Sequence, residues 1–209
     1  MIRAKLIFAA ATITAAATVA NHWPRQRIAA LYPPPPWHAP ITADCGPGPR
    51  VLIVGASVAL GWGVDRLDET WWVQLCRITG GNYTNLAVPA TRVADHLEVL
   101  RGAKGRYDRA LAVVGANDLV LGLAPGVAHQ VERRAERLRG GIAALQVEGA
   151  TLILQPAPQG YDAEVRRAYA EMARSVDLDL SALPVDYVDR IHFGRAGQAS
   201  LARAIAEAW

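Results

Sequence analysis

Three clusters of side chains in this chain are of a kind that does chemistry. Ser57 follows the apolar run Val51-Leu52-Ile53-Val54 and Gly55; Asn117 and Asp118 follow Gly115 and Ala116; Asp189 and His192 stand three residues apart near the C-terminal end. Acyl transfer needs a nucleophile, an imidazole to take its proton, a carboxylate to orient that imidazole, and donors aimed at the developing oxyanion. Ser57, His192, Asp189 and Asn117 are the residue types for those four tasks. Taken singly, each has a plainer account. Ser57 and Asp189 serve equally well as helix caps, Asn117 and Asp118 as turn residues, and His192 as a surface imidazole.

The elements that would have to bring them together are legible as alternating strands and helices. Val51 to Val54 reads as a strand buried on both faces, as a central parallel strand does. Tyr83 to Val88, Arg109 to Val114, Thr151 to Leu154 and Val185 to Val188 read as further strands. Helical spacing covers Glu69 to Ile78, Ala90 to Leu100, Val127 to Val147, Ala163 to Arg174 and Ala196 to Ala208, and the glycines of Val58 to Val64 suggest a loop. No internal repeat is present. Such alternation predicts an α/β three-layer sandwich with a mostly parallel central sheet and right-handed crossovers. Open sheets of this kind gather the ends of their strands along one rim. Ser57, Ala90, Asn117 and the Asp189/His192 pair each follow a predicted strand.

In order and spacing, Gly55-Ala56-Ser57-Val58, Asn85-Leu86-Ala87-Val88-Pro89-Ala90, Gly115-Ala116-Asn117-Asp118 and Asp189-Arg190-Ile191-His192 resemble the four motif blocks of the SGNH hydrolases, also called the GDSL family. The likeness covers about residues 50 to 209 and implies a flavodoxin-like fold. It implies Ser57 as nucleophile, His192 as general base, Asp189 as its orienting carboxylate, and an oxyanion hole formed by the backbone N–H groups of Ser57 and Ala90 with the Asn117 amide. Two positions depart from the family pattern: Ala56 stands where Asp is usual, and Ala90 where Gly is usual. An amide N–H does not depend on its side chain, so the donor at Ala90 survives; if the position required φ > 0, alanine would cost about 1 kcal/mol there. The stretch after Gly55 has neither the second glycine of a nucleophile elbow nor a dinucleotide fingerprint, and no His-Glu spacing calls for zinc, so neither cofactor nor metal is expected.

Totals narrow the partners. The formal net charge is +3, from 22 Lys and Arg against 19 Asp and Glu without a basic run, which gives nucleic acid little to bind. Arg3 and Lys5 precede the charge-free stretch Leu6 to Ala20, the layout of an export signal; the stretch is shorter than the ~20 apolar residues of a span, though Trp23 suits a membrane interface. Residues 1–22 therefore read as a signal peptide or a membrane anchor. Pro33 to Pro36, Pro40, Pro47 and Pro49 make 23–49 read as a stiff spacer, and 50–209 as the SGNH-hydrolase-like domain. The expected location is the periplasm, or a membrane anchorage facing the periplasm or cell exterior. Cys45 and Cys76 read equally as a disulfide or as two separate buried thiols. The resemblance implies a serine esterase, and a small domain with no insertion long enough to form a lid makes a short acyl (acetyl-type) ester of a small molecule or carbohydrate the expected substrate. Two other readings use the same scaffold: an O-acyltransferase acting on an envelope carbohydrate, and a non-catalytic subunit of a membrane complex. Trp62, close after Ser57, reads as a ring for a sugar or lipid chain, or as packing beneath its own loop.

Overall fold

The structure, a computed structural model, describes residues 35–37, 39–120, 133, 136–137, 139–141, 143–144, 149–159 and 163–209. The predicted signal or anchor (1–22), the proline tract up to Pro34, and most of the helix expected over 127–147 lie outside the described residues. Those members of the 127–147 segment that are described, 133, 136–137, 139–141 and 143–144, are helical. Among the described residues no helix is long and apolar enough to cross a membrane.

The apolar runs that stop at a glycine form the centre of a six-stranded sheet. Its strands are β1 (Ile41–Asp44), β2 (Arg50–Gly55), β3 (Asn82–Asn85), β4 (Arg109–Val114), β5 (Ala150–Leu154) and β6 (Leu178–Asp179), in the spatial order β1-β3-β2-β4-β5-β6. All neighbours are parallel except β1, which runs antiparallel to β3. Outside the 127–147 segment, six α-helices accompany them among the described residues: α1 (Ser57–Leu60), α2 (Trp71–Thr79), α3 (Val93–Arg101), α4 (Ala116–Val120), α5 (Ala163–Met172) and α6 (Arg195–Glu207).

Both faces of the sheet are covered, as the continuous apolar strands require. Val51, Ile53, Leu111, Val113 and Ile153 share one face and pack with Trp71, Trp72 and Leu75 of α2 and Leu201, Ala202 and Ile205 of α6. Leu52, Val54, Ala110, Ala112, Val114 and Leu152 share the other with Val93 and Leu100 of α3. Leu154 packs against Tyr169 and Met172 of α5. The alternation along β2 and β4 is the two-residue period of a strand with helices on both sides. At the edge of the sheet where β4 begins, Arg109 donates to the Trp209 carbonyl at 3.3 Å and lies over the Trp209 ring, which stacks 6.3 Å from Tyr83.

Three expectations need correction. Ile41–Asp44, inside the stretch read as spacer, is an edge strand, and the Cys45–Cys76 disulfide fastens its end to α2. The loop read from the glycines of Val58 to Val64 begins as a helix, because Gly61 (φ +89°) is its left-handed stop rather than a sign of irregular chain throughout. Val185 to Val188 is not a sheet strand. Only Tyr187 forms an isolated antiparallel bridge, to Phe193, because the chain turns back at once and the Val188 N–H bonds the His192 carbonyl. The sixth strand is Leu178–Asp179 instead.

Two outcomes follow from this frame. The disulfide spans a sequence separation of 31, so closing that loop is worth about 3 to 4 kcal/mol in the chain-entropy account; Cys76→Ser is expected to lower unfolding free energy by that order, read by denaturant titration. His96 of α3 is buried, and neither ring nitrogen finds a hydrogen-bond partner among the described residues. Burial, only partly opposed by Asp95, pushes its pKa down to about 4. A base depressed in the fold stabilises above its ordinary value of about 6.5 and loses that contribution as pH falls towards 4, at most about 3 kcal/mol. His96→Leu is expected to flatten the acid slope of stability between those limits.

Candidate active site

Ser57 opens α1, a helix of only four residues. Nucleating one helical turn costs on the order of 4 kcal/mol and so short a segment does not recover it alone. Other elements hold it. The Ser57 carbonyl accepts the Trp62 N–H at 3.0 Å. Those of Val58, Ala59 and Leu60 accept Trp71 Nε1 at 2.8 Å, Asn85 Nδ2 at 2.9 Å and Trp72 Nε1 at 3.2 Å. At about 1 kcal/mol each, three side-chain bonds come to the size of the nucleation cost. Gly55 brings the chain into this turn at φ +152°, where a Cβ would sit 2.5 Å from the Ala59 Cβ and 2.8 Å from the Val113 carbonyl. Ala56 precedes the helix without a side-chain cap.

From the other end of the sequence, the Tyr187–Phe193 bridge and α6 present the turn that carries Asp189 and His192. Asp186 accepts the Gly197 N–H in the first turn of α6 and so supplies the cap that Gly194 lacks. His192 is buried, its Nε2 lies 2.8 Å from Ser57 Oγ, and its Nδ1 lies 2.6 Å from Asp189 Oδ2. Asp189 Oδ1 accepts the backbone N–H groups of Ile191 at 2.6 Å and His192 at 2.7 Å. Burial works to raise the Asp189 carboxyl, but the bond and charge of His192, with those two N–H groups, outweigh it and hold the pKa below its ordinary value. Ionised Asp189 fixes Nδ1 as the protonated nitrogen and leaves Nε2 as the acceptor facing the serine.

Ala90 stands on the loop after β3, and Asn117 stands in the first turn of α4, after β4. The Val88 N–H bonds the Gly55 carbonyl at 3.1 Å, Thr91 Oγ1 donates to Val88 O at 2.5 Å, and Asn117 Nδ2 donates to Thr91 O at 2.9 Å. That last bond uses one amide hydrogen of Asn117 and orients the other. Asp118, read as a turn residue, instead lies in α4; it is buried and takes the Val93 N–H at the start of α3 at 3.3 Å on each carboxylate oxygen. Ala90 has φ +63°, among the described residues the one non-glycine in the left-handed region. The conditional cost raised by the sequence therefore applies.

Two residues in this frame went unread. Gln198 lies at zero exposure on the apolar stripe of α6 that continues through Leu201, Ala202 and Ile205; a polar residue on that stripe was a usable signal. Its Oε1 accepts the Trp71 N–H at 2.9 Å, and its Nε2 donates to the carbonyls of Trp62 at 3.1 Å and Phe193 at 3.4 Å. Asn85, within the second motif block, closes an Asx-type turn onto the Ala87 N–H at 2.9 Å while bonding α1.

No family model matches the sequence, and no curated protein matches it. Solved structures do resemble the chain. The acetyl xylan esterase AlAXEase has a TM-score of 0.61 at 13% identity, over 76% of this chain and 98% of its own. A variant of Axe2, an acetyl-xylooligosaccharide esterase from Geobacillus Stearmophilus, has 0.56 at 17%, over 79% and 95%. TesA has 0.53 at 20%, over 75% and 95%. The described domain thus has the α/β sandwich fold of the SGNH, or GDSL-type, hydrolases.

Relief at position 90 is measurable. A residue other than glycine in the left-handed region costs about 1 to 2 kcal/mol, and glycine gives back about 0.4 to 1 kcal/mol through the freer unfolded chain. Ala90→Gly is expected to raise stability by about 0.5 to 1 kcal/mol net, read as a small upward shift of the denaturation midpoint.

Proposed function

We propose that the protein is a serine ester hydrolase of the SGNH type that removes a short, acetyl-type acyl group from a carbohydrate or small-molecule ester. The observation that carries this reading is the continuous line from Asp189 through His192 to Ser57, with contacts of 2.6 and 2.8 Å in a buried site. In the proposed reaction His192 Nε2 takes the Ser57 proton as Oγ attacks the ester carbonyl. Charge that gathers on the carbonyl oxygen meets the N–H groups of Ser57 and Ala90 and the Asn117 amide. His192 returns the proton to the leaving alcohol, and water then repeats the sequence on the acyl-enzyme. Asp189 stays ionised and steadies the imidazolium.

The acetyl preference draws support from resemblance to an acetyl xylan esterase and an acetyl-xylooligosaccharide esterase. Export to the cell envelope is the matching proposal for location. It draws support from the Cys45–Cys76 disulfide, a bond that persists in oxidising compartments, and from the signal-like layout of residues 1–22.

Ser57→Ala is expected to lower turnover of p-nitrophenyl acetate by about 10⁴-fold or more, and Asn117→Ala by about 10²- to 10³-fold. A fluorophosphonate probe is expected to label the parent at Ser57 and to leave Ser57→Ala unlabelled. Equal hydrolysis by parent and Ser57→Ala overturns the assignment.

A further inference from the structure

One aromatic ring bridges the two halves of this site. The indole of Trp62 lies face to face with the imidazole of His192, ring centroids 5.1 Å apart and planes 16° from parallel. That is an offset stack at ordinary aromatic separation. The backbone of Trp62 is held from four directions. Its N–H donates to the Ser57 carbonyl, and its own carbonyl accepts Gln198 Nε2. Gly61, at φ +89°, lies so close to Thr70 that a Cβ would stand 2.5 Å from Cγ2; Gly63, at φ +112°, lies so close to Phe193 that a Cβ would stand 2.3 Å from its carbonyl oxygen. Glycine on each side lets the loop close down on both neighbours, with Trp62 between them.

The indole also forgoes something to sit there. Its N–H is buried with no hydrogen-bond acceptor among the described residues. Buried donors are nearly always paired, so a ring chosen only to fill its loop would be expected to turn towards an acceptor.

We propose that Trp62 is a positioning residue for the Ser57–His192 pair: bonded through its backbone to the serine and stacked through its ring on the imidazole, it keeps Nε2 aligned with Oγ and favours the imidazolium formed when the proton moves. The inference rests on the ester-hydrolase reading, and it adds a residue that acts through His192 rather than on the substrate. An indole face attracts a neighbouring cation, the more strongly where water is excluded. That attraction exists only after proton transfer, so it belongs to the chemical step rather than to ester binding.

The test uses the full chain with Trp62→Leu and Trp62→Phe. Trp62→Leu is expected to lower kcat on p-nitrophenyl acetate by about 3- to 30-fold, the worth of a cation–π contact, with KM changed less than about twofold. Trp62→Phe, which keeps a flat ring, is expected to recover most of the loss. Independently of activity, the His192 Hε1 proton resonance, assigned by its disappearance in His192→Gln, is expected upfield of the other histidines in the parent and to move downfield in Trp62→Leu. Parental kcat in folded Trp62→Leu overturns the inference, as does equal loss in the Leu and Phe variants, or an unshifted His192 resonance in the parent. If Trp62→Leu does not fold, the parent resonance and Trp62→Phe decide: an upfield proton with near-parental kcat supports the inference, and its absence overturns it. If the parent neither hydrolyses the ester nor takes the fluorophosphonate, the hydrolase reading fails, and the resonance still reports on the stack.

Discussion

A single turn of helix does not stand by itself in water, and Ser57 begins one. Most of what is distinctive in the surrounding frame is directed at the four carbonyls of that turn. Two fully buried indoles, one buried asparagine and one backbone amide approach from α2, from the end of β3 and from the loop beyond Gly61. Trp71 and Trp72 thereby do two things at once. Each fills the core between α2 and the sheet, removing on the order of 200 Å² from water, and each ends in a donor aimed at the serine-bearing turn. The hydrophobic core and the polar support of the serine-bearing turn thus share residues, which ties the backbone of that turn to the core.

The imidazole is brought to it by a different route. β2 delivers the serine, whereas α6 and the short bridge before it deliver the histidine, and no regular hydrogen-bond ladder joins those two parts. Gln198 supplies the join. Its amide reaches the first turn of α2, the loop after Ser57 and the residue after His192, all from a point with no access to solvent. A buried amide whose oxygen and nitrogen are both used is specific in a way that apolar packing is not, because any shift of one loop leaves a polar group unpaired. Electrostatics then completes the line: a carboxylate held ionised by two N–H groups and an imidazole keeps one tautomer in place.

How much of this was written plainly in the chain depended on the range of the interaction. The central strands β2, β4 and β5 were legible because burial on both faces leaves an unbroken apolar run with a turn residue after it. Ser57 and Asn117 were legible because each lies just beyond such a run, and Asp189 and His192 because an aspartate and a histidine stand three residues apart near the C-terminal end. β1 was not, since Ile41-Thr42-Ala43-Asp44 is a half-exposed edge strand set among prolines, and β6 was not, since two residues have no period to detect. Val185 to Val188 misled for the opposite reason: it has strand composition, but the chain reverses before a ladder can form. The Cys45–Cys76 disulfide is not legible in the chain, because separation along it says nothing of whether two sulfurs meet. The stack of Trp62 on His192 joins residues on different halves of the domain and left no local pattern.

The register of β1 has a practical corollary. Because it is antiparallel to its neighbour, Ile41 pairs with Asn85 at the end of β3, the same rim on which β2 gives way to Ser57. Trp209, bonded by the first residue of β4, belongs to the far rim. A resin or sensor surface coupled at the first residue of β1 is therefore leashed on the rim that carries Ser57, whereas one coupled at Trp209 is held on the opposite rim.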